Sequence, residues 1–544
     1  MFRRFASLRR WSLCAVLAAV LGLPSAQTTA AETWPSSASM ETAAGDADNW
    51  ILPAKTLDFN RFTTLTGVNR NNVARLKRIW TFKIADNGEQ EAAPIVWHGM
   101  MYISTPHDHI IALDAKTGVQ KWELEHHVTH SVGVVTNRGV ALVDGKIIMG
   151  TMEGHMMAVD ATNGKVLWDV AGVDDPSNTA FSMAPYIFRG LAIIGTAGGD
   201  FGNVGQVTAF RIADGSKAWV WHTIPAPGEA GHDSWPGDSW LHGGADVWGG
   251  ISIDPATQMM YVGAGNPGPD LVDTYRKGAN LYSDSVVALD ISGAKPVVKW
   301  YVQLVADDTH DEDIAMPPQL FVGVIDGWRR PLLMATDKGG DYAILDRPTG
   351  KVLAKGMLVQ NQGMDTPPTE SGLVGCPNHG GGVEWNGGAY DPNSNLFIIP
   401  ATDECGIWKS TGDVTYKPGA PFSGGILPAR GGGNGVISAV DVSSGKVVWT
   451  KDVPMAAEGG ALTTTTGLTF TSALDGTFYA LDTVTGKQLW STNTGASIVS
   501  PPVAYTVDGR EVIAVISGEG GNQSTRELSK NVNGSFISAY AVMP

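Results

Sequence analysis

Three short segments of this 544-residue chain bring together residue types that bind hard cations and move protons. They are DDTHDEDIAMPPQL (307–320), GNPGP (265–269) and AGGDFGNVGQVTAF (197–210). Hard cations such as Ca²⁺ take oxygen ligands, carboxylates and Asn carbonyls among them. A carboxylate held near such a cation can take the proton from an alcohol hydroxyl while hydride leaves carbon. Each segment also has a plainer reading, because Gly-Asn-Pro and Gly-Gly-Asp suit turns and an acidic loop suits a solvated face. The histidines of HDH (107–109) and EHHVTH (125–130) are of a type that binds Zn²⁺ or Cu²⁺, although loop histidines are mostly solvated. No G-x-G-x-x-G opens a βα unit, and no G-x-x-x-x-G-K-[ST] or G-x-S-x-G occurs, which removes the common nicotinamide, nucleotide and serine-hydrolase readings. The absence of C-x-x-C-H removes a covalently attached c-type haem.

The elements that must position these segments are legible as a repeat. An apolar strand, an Asp, a Gly-containing turn and a second strand, usually ending in Trp, recur along the chain. The copies are IIALDAKTGVQKW (110–122), MMAVDATNGKVLW (156–168), VTAFRIADGSKAW (207–219), VVALDISGAKPVVKW (286–300), YAILDRPTGKVL (342–353), ISAVDVSSGKVVW (437–449) and FYALDTVTGKQLW (478–490). Each reads as a hairpin whose Gly takes the left-handed turn position. Successive Asp positions, with Arg211 standing in the third copy, are 46, 51, 79, 56, 95 and 41 residues apart, against roughly 40–50 for a four-stranded propeller blade. The 95-residue interval has room for a further blade with GGAYDPNSNLFIIPAT (387–402) as its strands. The 79-residue interval reads as one blade with a long insertion, in which 249–265 shares the blade of 286–300. The expectation is an all-β chain folded as an eight-bladed β-propeller of four-stranded antiparallel blades. In that ring LKRIWTF (76–82) completes the blade begun by the C-terminus.

Composition agrees, with 67 Gly, 18 Trp and only 17% charged residues. Gly supplies turns and Trp fills space between sheets. A net charge of −16 argues against nucleic acid as a partner. Residues 1–31 have the layout of a secretory signal: four arginines, the apolar run Leu13–Leu23, then small residues. Its loss takes the charge to −20 and leaves residues 32–544 as one predicted domain with no membrane span, exported to the periplasm. Cys14 lies in that leader, and Cys376 and Cys405 are suited to a disulfide in an oxidising compartment.

Beyond the repeats, the three segments resemble the quinoprotein alcohol dehydrogenases, eight-bladed periplasmic enzymes that hold pyrroloquinoline quinone (PQQ) and a metal on the propeller axis. The resemblance runs from NRFTTLTGVNRNNVARLKRIWTF (60–82) to the last repeat. It implies that Asn266 gives an amide oxygen to the metal and that Asp200 is a carboxylate ligand. In the family's H-D-x-W-D-x-D/A segment Asp308 matches the first Asp, and Asp311 matches the catalytic one, which serves as general base and metal ligand. Asp313 implies a further ligand; an Asp there accompanies lanthanide-using members and also occurs in members that use Ca²⁺. The backbone of Ala197, Gly198 and Gly199 would lie close to the quinone. Glu91, Arg138, Ser182, Asp246, Trp248, Lys338 and Glu384 fall at quinone-contacting places. Arg138 and Lys338 would offset its carboxylates and reduced oxygen, Ser182 would bond a carboxylate, and Trp248 would stack on the ring.

Departures from the pattern sharpen the expectations. Asp200 stands where Glu is usual, His310 where Trp is, Glu384 where Asn is, and Asp246 where Thr is common. Val132 and Gly133 replace the adjacent disulfide-bonded cysteines of many members, whereas Cys376 and Cys405 fall at the spacing of a family disulfide. The implied activity is PQQ- and metal-dependent oxidation of an alcohol, polyol or sugar hydroxyl, with Ca²⁺ or a lanthanide as the metal. Electrons would pass to a periplasmic cytochrome c. The competing readings are a non-catalytic propeller scaffold and a quinoprotein that has lost its metal site.

Overall fold

The computed structural model describes residues 34–130, 133, 136–428, 433–518 and 534–543. The predicted leader lies outside them, and Pro35–Pro544 forms one compact unit. Among the described residues, apart from the short α-helix Ser37–Glu41 and single 3₁₀ turns, regular structure is β. Seven sheets have four strands, one has five, and a small one has three. The larger sheets are antiparallel, except that Phe62–Thr63 pairs parallel with Ala461–Thr464 in the five-stranded one. In the sheet Ala141–Val143, Lys146–Gly150, His155–Asp160 and Val166–Ala171, the first three strands are almost wholly buried and the fourth alternates between exposed and half-buried. The sequence periodicity follows from this, since inner strands touch neighbouring sheets on both faces and the outermost strand does not.

The repeat phrase has a physical explanation in these sheets. The Ala before each apolar-Asp pair stands opposite the Trp of the following strand: Ala112 pairs with Trp122, Ala158 with Trp168, Ala439 with Trp449 and Ala480 with Trp490. A small residue leaves room for the indole. That indole then docks on the next repeat. A Cβ on Gly118 would lie 2.6 Å from the Trp80 ring, on Gly164 2.7 Å from Trp122, and on Gly486 2.7 Å from Trp449. The indole N–H of Trp80 donates to Ala115 O, that of Trp122 to Ala161 O and that of Trp449 to Thr483 O. Turn Gly and strand-end Trp are therefore the two halves of one joint between consecutive sheets. In the copy without Trp, Ala354 lies under Gly445.

One strand assignment is corrected. The 387–402 strands, Ala389–Asp391 and Leu396–Asp403, belong to the same sheet as the repeat at 437–449, with Leu396 opposite Asp441 and Asp403 opposite Asn434. The 95-residue interval is a long insertion within one sheet, part of which forms the small sheet of Leu373–Gly375, Gly406–Ser410 and Gly425–Ile426. The eighth large sheet comes from the two ends of the described chain: Val503–Val507, Arg510–Ser517 and Ser535–Val542, with Leu76–Ile84 paired antiparallel to the last. The 249–265 hairpin shares the sheet of 286–300, as expected. Cys376 and Cys405 form a disulfide.

This topology decides where chemistry can gather. In a meander the start of the first strand and the end of the second lie at the same end of the sheet. Glu91, Arg138, Ser182, Trp248, Asp313 and Glu384 precede first strands, whereas Ala197, Asn266 and Lys338 follow second strands. All therefore lie at one end of their sheets, and the Asp-Gly turns lie at the other.

Candidate active site

Lys338 is the centre of the acidic side of the site. Its ammonium is 3.0 Å from Asp311 Oδ1 and 2.6 Å from Asp313 Oδ2. The Asp313 backbone carbonyl also accepts from Lys338 N at 3.0 Å. Burial acts to discharge the lysine, yet Asp311, Asp313 and Glu384 together hold its pKa well above the ordinary value. The Asp311 carboxyl is pushed well up, first by burial; Lys338 opposes the shift while Asp313 and Asp200 add to it. One ammonium shared by two carboxylates leaves a surplus negative charge, and Asp311 carries that excess as raised basicity. Asp311 also sits at φ +58°, a left-handed conformation that costs a non-Gly residue energy and that clusters at functional sites.

Asn266 joins this group through two contacts. Its backbone N–H donates to Asp313 Oδ1 at 2.7 Å, and its side-chain amide donates to Asp270 Oδ1 at 3.0 Å. With Nδ2 committed to Asp270, the carbonyl oxygen is the end of the amide left to bind a cation. Gly265 makes the first contact possible, because a Cβ there would fall 2.4 Å from Asp313 Oδ1. The carboxyl of half-buried Asp200 is raised, first by burial, with Lys338 opposing and Asp313 adding, so it shares the field of the same group. Asp246, the expected surplus charge, accepts from Thr196 Oγ1 at 2.5 Å and from Asn203 Nδ2 at 3.0 Å. Burial lifts its pKa to about 7, so protonation relieves part of the crowding.

Opposite chemistry gathers around Arg138. Its Nε lies 2.8 Å from Glu91 Oε2, its Nη1 donates to Ser182 Oγ at 2.7 Å, and its guanidinium lies 4.8 Å from the Trp248 ring centre and 4.5 Å from that of Trp385. The Lys338 ammonium is 5.3 Å from the Trp248 ring, which links the two halves. Trp248 and Trp385 are 6.1 Å apart and tilted by 54°.

The structure thus brings together Asp311, Asp313, Asn266, Lys338, Trp248, Arg138, Glu91 and Ser182 through direct contacts. Asp200 and Glu384 act on the group electrostatically, and Asp246 lies beside it, its backbone carbonyl accepting from Gly265 N at 2.8 Å. Ala197 is buried, and Gly199 has ordinary space around it. Gly198 has a cause of its own: at φ +127°, a Cβ would meet Asn178 O at 2.1 Å. Sequence reasoning missed Asp270 and Trp385. Asp270 follows GNPGP directly and reads as the end of a turn, while Trp385 adjoins the singled-out Glu384 and was hidden by the number of structural tryptophans. Of the two residues replacing the cysteine pair, Val132 lies outside the described residues. Gly133 lies against the Phe201 ring, 2.7 Å from the place of a Cβ. The suspected histidine motifs resolve into separate pairs, His107 with Asp86, His109 with Glu123 and His126 with Glu153.

Comparison with known proteins meets this geometry. The family model of the glucose/ethanol/alcohol dehydrogenase β-propeller domain, a PQQ domain, matches residues 50–355, and that of the outer membrane protein assembly factor BamB matches 398–529. The chain is 31% identical over 509 residues to a quinoprotein alcohol dehydrogenase of Pseudomonas putida, covering 85% of this chain and 84% of that protein. It is 30% identical over 529 residues to a lanthanide-dependent methanol dehydrogenase of Methylacidiphilum fumariolicum, covering 87% and 85%. Among solved structures, a europium-containing methanol dehydrogenase superposes with a TM-score of 0.83 at 27% identity, covering 92% of this chain and 99% of that one. The fold and site are those of a propeller-borne oxidoreductase. The chain belongs to the PQQ-dependent, or quinoprotein, alcohol dehydrogenases.

The residues present fit that cofactor and its cation. Arg138, Lys338 and Ser182 are donors suited to a tricarboxylated quinone, Trp248 and Trp385 offer aromatic faces, and Asn266, Asp311, Asp313 and Asp200 are oxygen donors of the hard-cation type.

Proposed function

We propose that this protein is a PQQ- and metal-dependent dehydrogenase that oxidises an alcohol, polyol or sugar hydroxyl. The observation that carries the reading is the Lys338 bridge between Asp311 and Asp313, joined through Asp313 to Asn266 and facing the Trp248–Arg138 group. When bound there, PQQ and its metal supply a two-electron acceptor and a Lewis acid. The protein supplies the rest. Asp311 receives the substrate hydroxyl proton on a carboxylate oxygen. Lys338 keeps Asp311 aimed and opposes the rise in its pKa. Arg138 and Ser182 hold cofactor carboxylates, while Trp248 and Trp385 cover aromatic surface and exclude water. Asp200, Asn266, Asp311 and Asp313 hold the metal, and three carboxylates in that set favour a lanthanide over Ca²⁺ because a trivalent ion gains more from each anion.

Architecture and location complete the proposal. The eight large sheets are the blades of one ring, closed where Leu76–Ile84 pairs with Ser535–Val542. Residues 1–31 direct export to the periplasm, and the acceptor is a cytochrome c drawn to an acidic surface. The scaffold reading has the BamB family match in its favour, but that match covers 398–529, the stretch that contains none of the site residues. The deciding experiment reconstitutes the purified protein with PQQ and either Ca²⁺ or La³⁺ and follows dye reduction over a panel of alcohols and sugars. Turnover is expected, falling by about 10²–10⁴-fold in Asp311→Ala with quinone still bound. No quinone binding with either metal overturns the enzyme reading. Undiminished turnover in the variant overturns the assigned base.

A further inference from the structure

The loop 307–313 turns two faces to the protein. Asp311 and Asp313 point to Lys338 and the Asn266 strand end. Asp308, His310 and Glu312 converge on one another, one ligand atom from each lying within 4.8 Å of the others. All three are buried, at 2%, 0% and 6% exposure. We propose that Asp308, His310 and Glu312 form a second metal site, separate from the axial one, that takes a divalent first-row ion such as Mn²⁺ or Zn²⁺.

Two further observations point to a cation there. The Nε2 atom of His310 is buried and has no hydrogen-bond partner, although Nδ1 lies 3.2 Å from Thr309 Oγ1. Asp284 is fully buried, neither of its carboxylate oxygens meets a donor, and its strongest electrostatic neighbour is Asp308, followed by Asp313 and Glu312. A buried polar atom without a partner is costly, and a buried carboxylate more so.

Local charge is also unbalanced. Glu312 Oε2 and Asp337 Oδ1 converge over Gly339, where a Cβ would lie 2.3 Å and 3.1 Å from them. Asp284, Asp308, Glu312 and Asp337 thus make four carboxylates. Arg276 is the nearby buried cation, but its donors go to the carbonyls of Pro269, Asp270 and Asp308 and to Asn280 Oδ1, with none to a carboxylate oxygen. Lys338 serves the other face of the loop. Arg276 offsets part of the charge on Asp284 and Asp308, and a divalent ion would offset the rest. Its class follows from the donors, since an imidazole nitrogen among carboxylates suits first-row divalent ions, whereas Ca²⁺ and lanthanides prefer oxygen alone. His310 stands where the family pattern has Trp, a side chain that cannot ligate.

The test uses the full-length protein, stripped with chelator, loaded with PQQ and La³⁺ and then dialysed against Mn²⁺ or Zn²⁺. Metal content is read by mass spectrometry and quinone occupancy by absorbance. One first-row ion per chain is expected in addition to one La³⁺. His310→Phe and Glu312→Gln should each weaken first-row binding by at least about tenfold while La³⁺ and PQQ remain at one per chain. Absence of a first-row ion, one-for-one displacement of La³⁺, or unchanged binding in both variants overturns the proposal. The wild-type stoichiometry decides alone if the variants fail to fold. Because La³⁺ and PQQ are counted separately, failure at this site is distinguishable from failure of the axial one.

Discussion

At the residue scale, burial raises the pKa of several carboxyls in this protein. Glu511 shows the effect away from the site. It is 5% exposed, its Oε2 accepts from Val68 N at 2.8 Å, and burial raises its pKa from 4.5 to about 7. The folded state therefore holds this proton more tightly than the unfolded chain does. Its stabilising contribution is intact below pH 4.5 and is lost as the pH rises through about 7. Glu511→Gln keeps the acceptor for Val68 and cannot ionise. Its melting temperature should match wild type near pH 4 and exceed it at pH 8, by up to about 3 kcal/mol in stability. A thermal-shift series with a constant difference across pH would contradict this. At the same scale, Asp311, Asp313 and Asn266 were identifiable because each sits in a segment that breaks the repeat, and Lys338 because it falls at a quinone-contacting place in the family resemblance. Asp270 was not, because its importance is a hydrogen bond to the amide of Asn266, and no residue pattern encodes which end of an amide is committed.

At the element scale, the recurring unit is the joint between sheets as much as the hairpin. Gly486 has φ +69°, and a Cβ there would press on the Trp449 ring at 2.7 Å. Gly486→Ala combines left-handed strain with a clash against a rigid indole whose N–H is already committed to Thr483 O. A loss of about 2–4 kcal/mol is expected, read as a lower melting temperature. Gly509, also at positive φ (+72°) but with open space around it, is the control: Gly509→Ala should pay the strain alone and lose less. Equal losses at both positions would refute the docking account. The hairpins themselves were readable from period-two alternation. Membership of strands in sheets was not fully readable, as 387–402 shows, because an insertion and an additional sheet occupy the same number of residues.

At the scale of the whole molecule, charge is the property with a functional consequence. The chain carries −16, reaching −20 without its first 31 residues. With a basic cytochrome c as the proposed acceptor, electron transfer to it should slow by roughly tenfold or more between low and physiological salt, because screening shortens the reach of the acidic surface. Dye reduction by the same preparation should change little. A salt-independent cytochrome rate would refute steering by net charge. Pairing of Leu76–Ile84 with Ser535–Val542 ties distant parts of the chain into one sheet.

Local properties were determined by sequence alone. Alternation marked the strands, Asp and Gly marked the turns, and breaks in the repeat marked the segments that carry chemistry, since each depends on residues close together along the chain. The tertiary structure decided what depends on residues far apart. It put Lys338 between Asp311 and Asp313, set Arg138 against Trp248 and Trp385, paired Leu76–Ile84 with Ser535–Val542 in one sheet, and gathered Asp308, His310 and Glu312 into one buried group. Burial and the angular placement of side chains arise only when separate sheets pack, so the charge balance of the site could be listed from sequence but not solved from it.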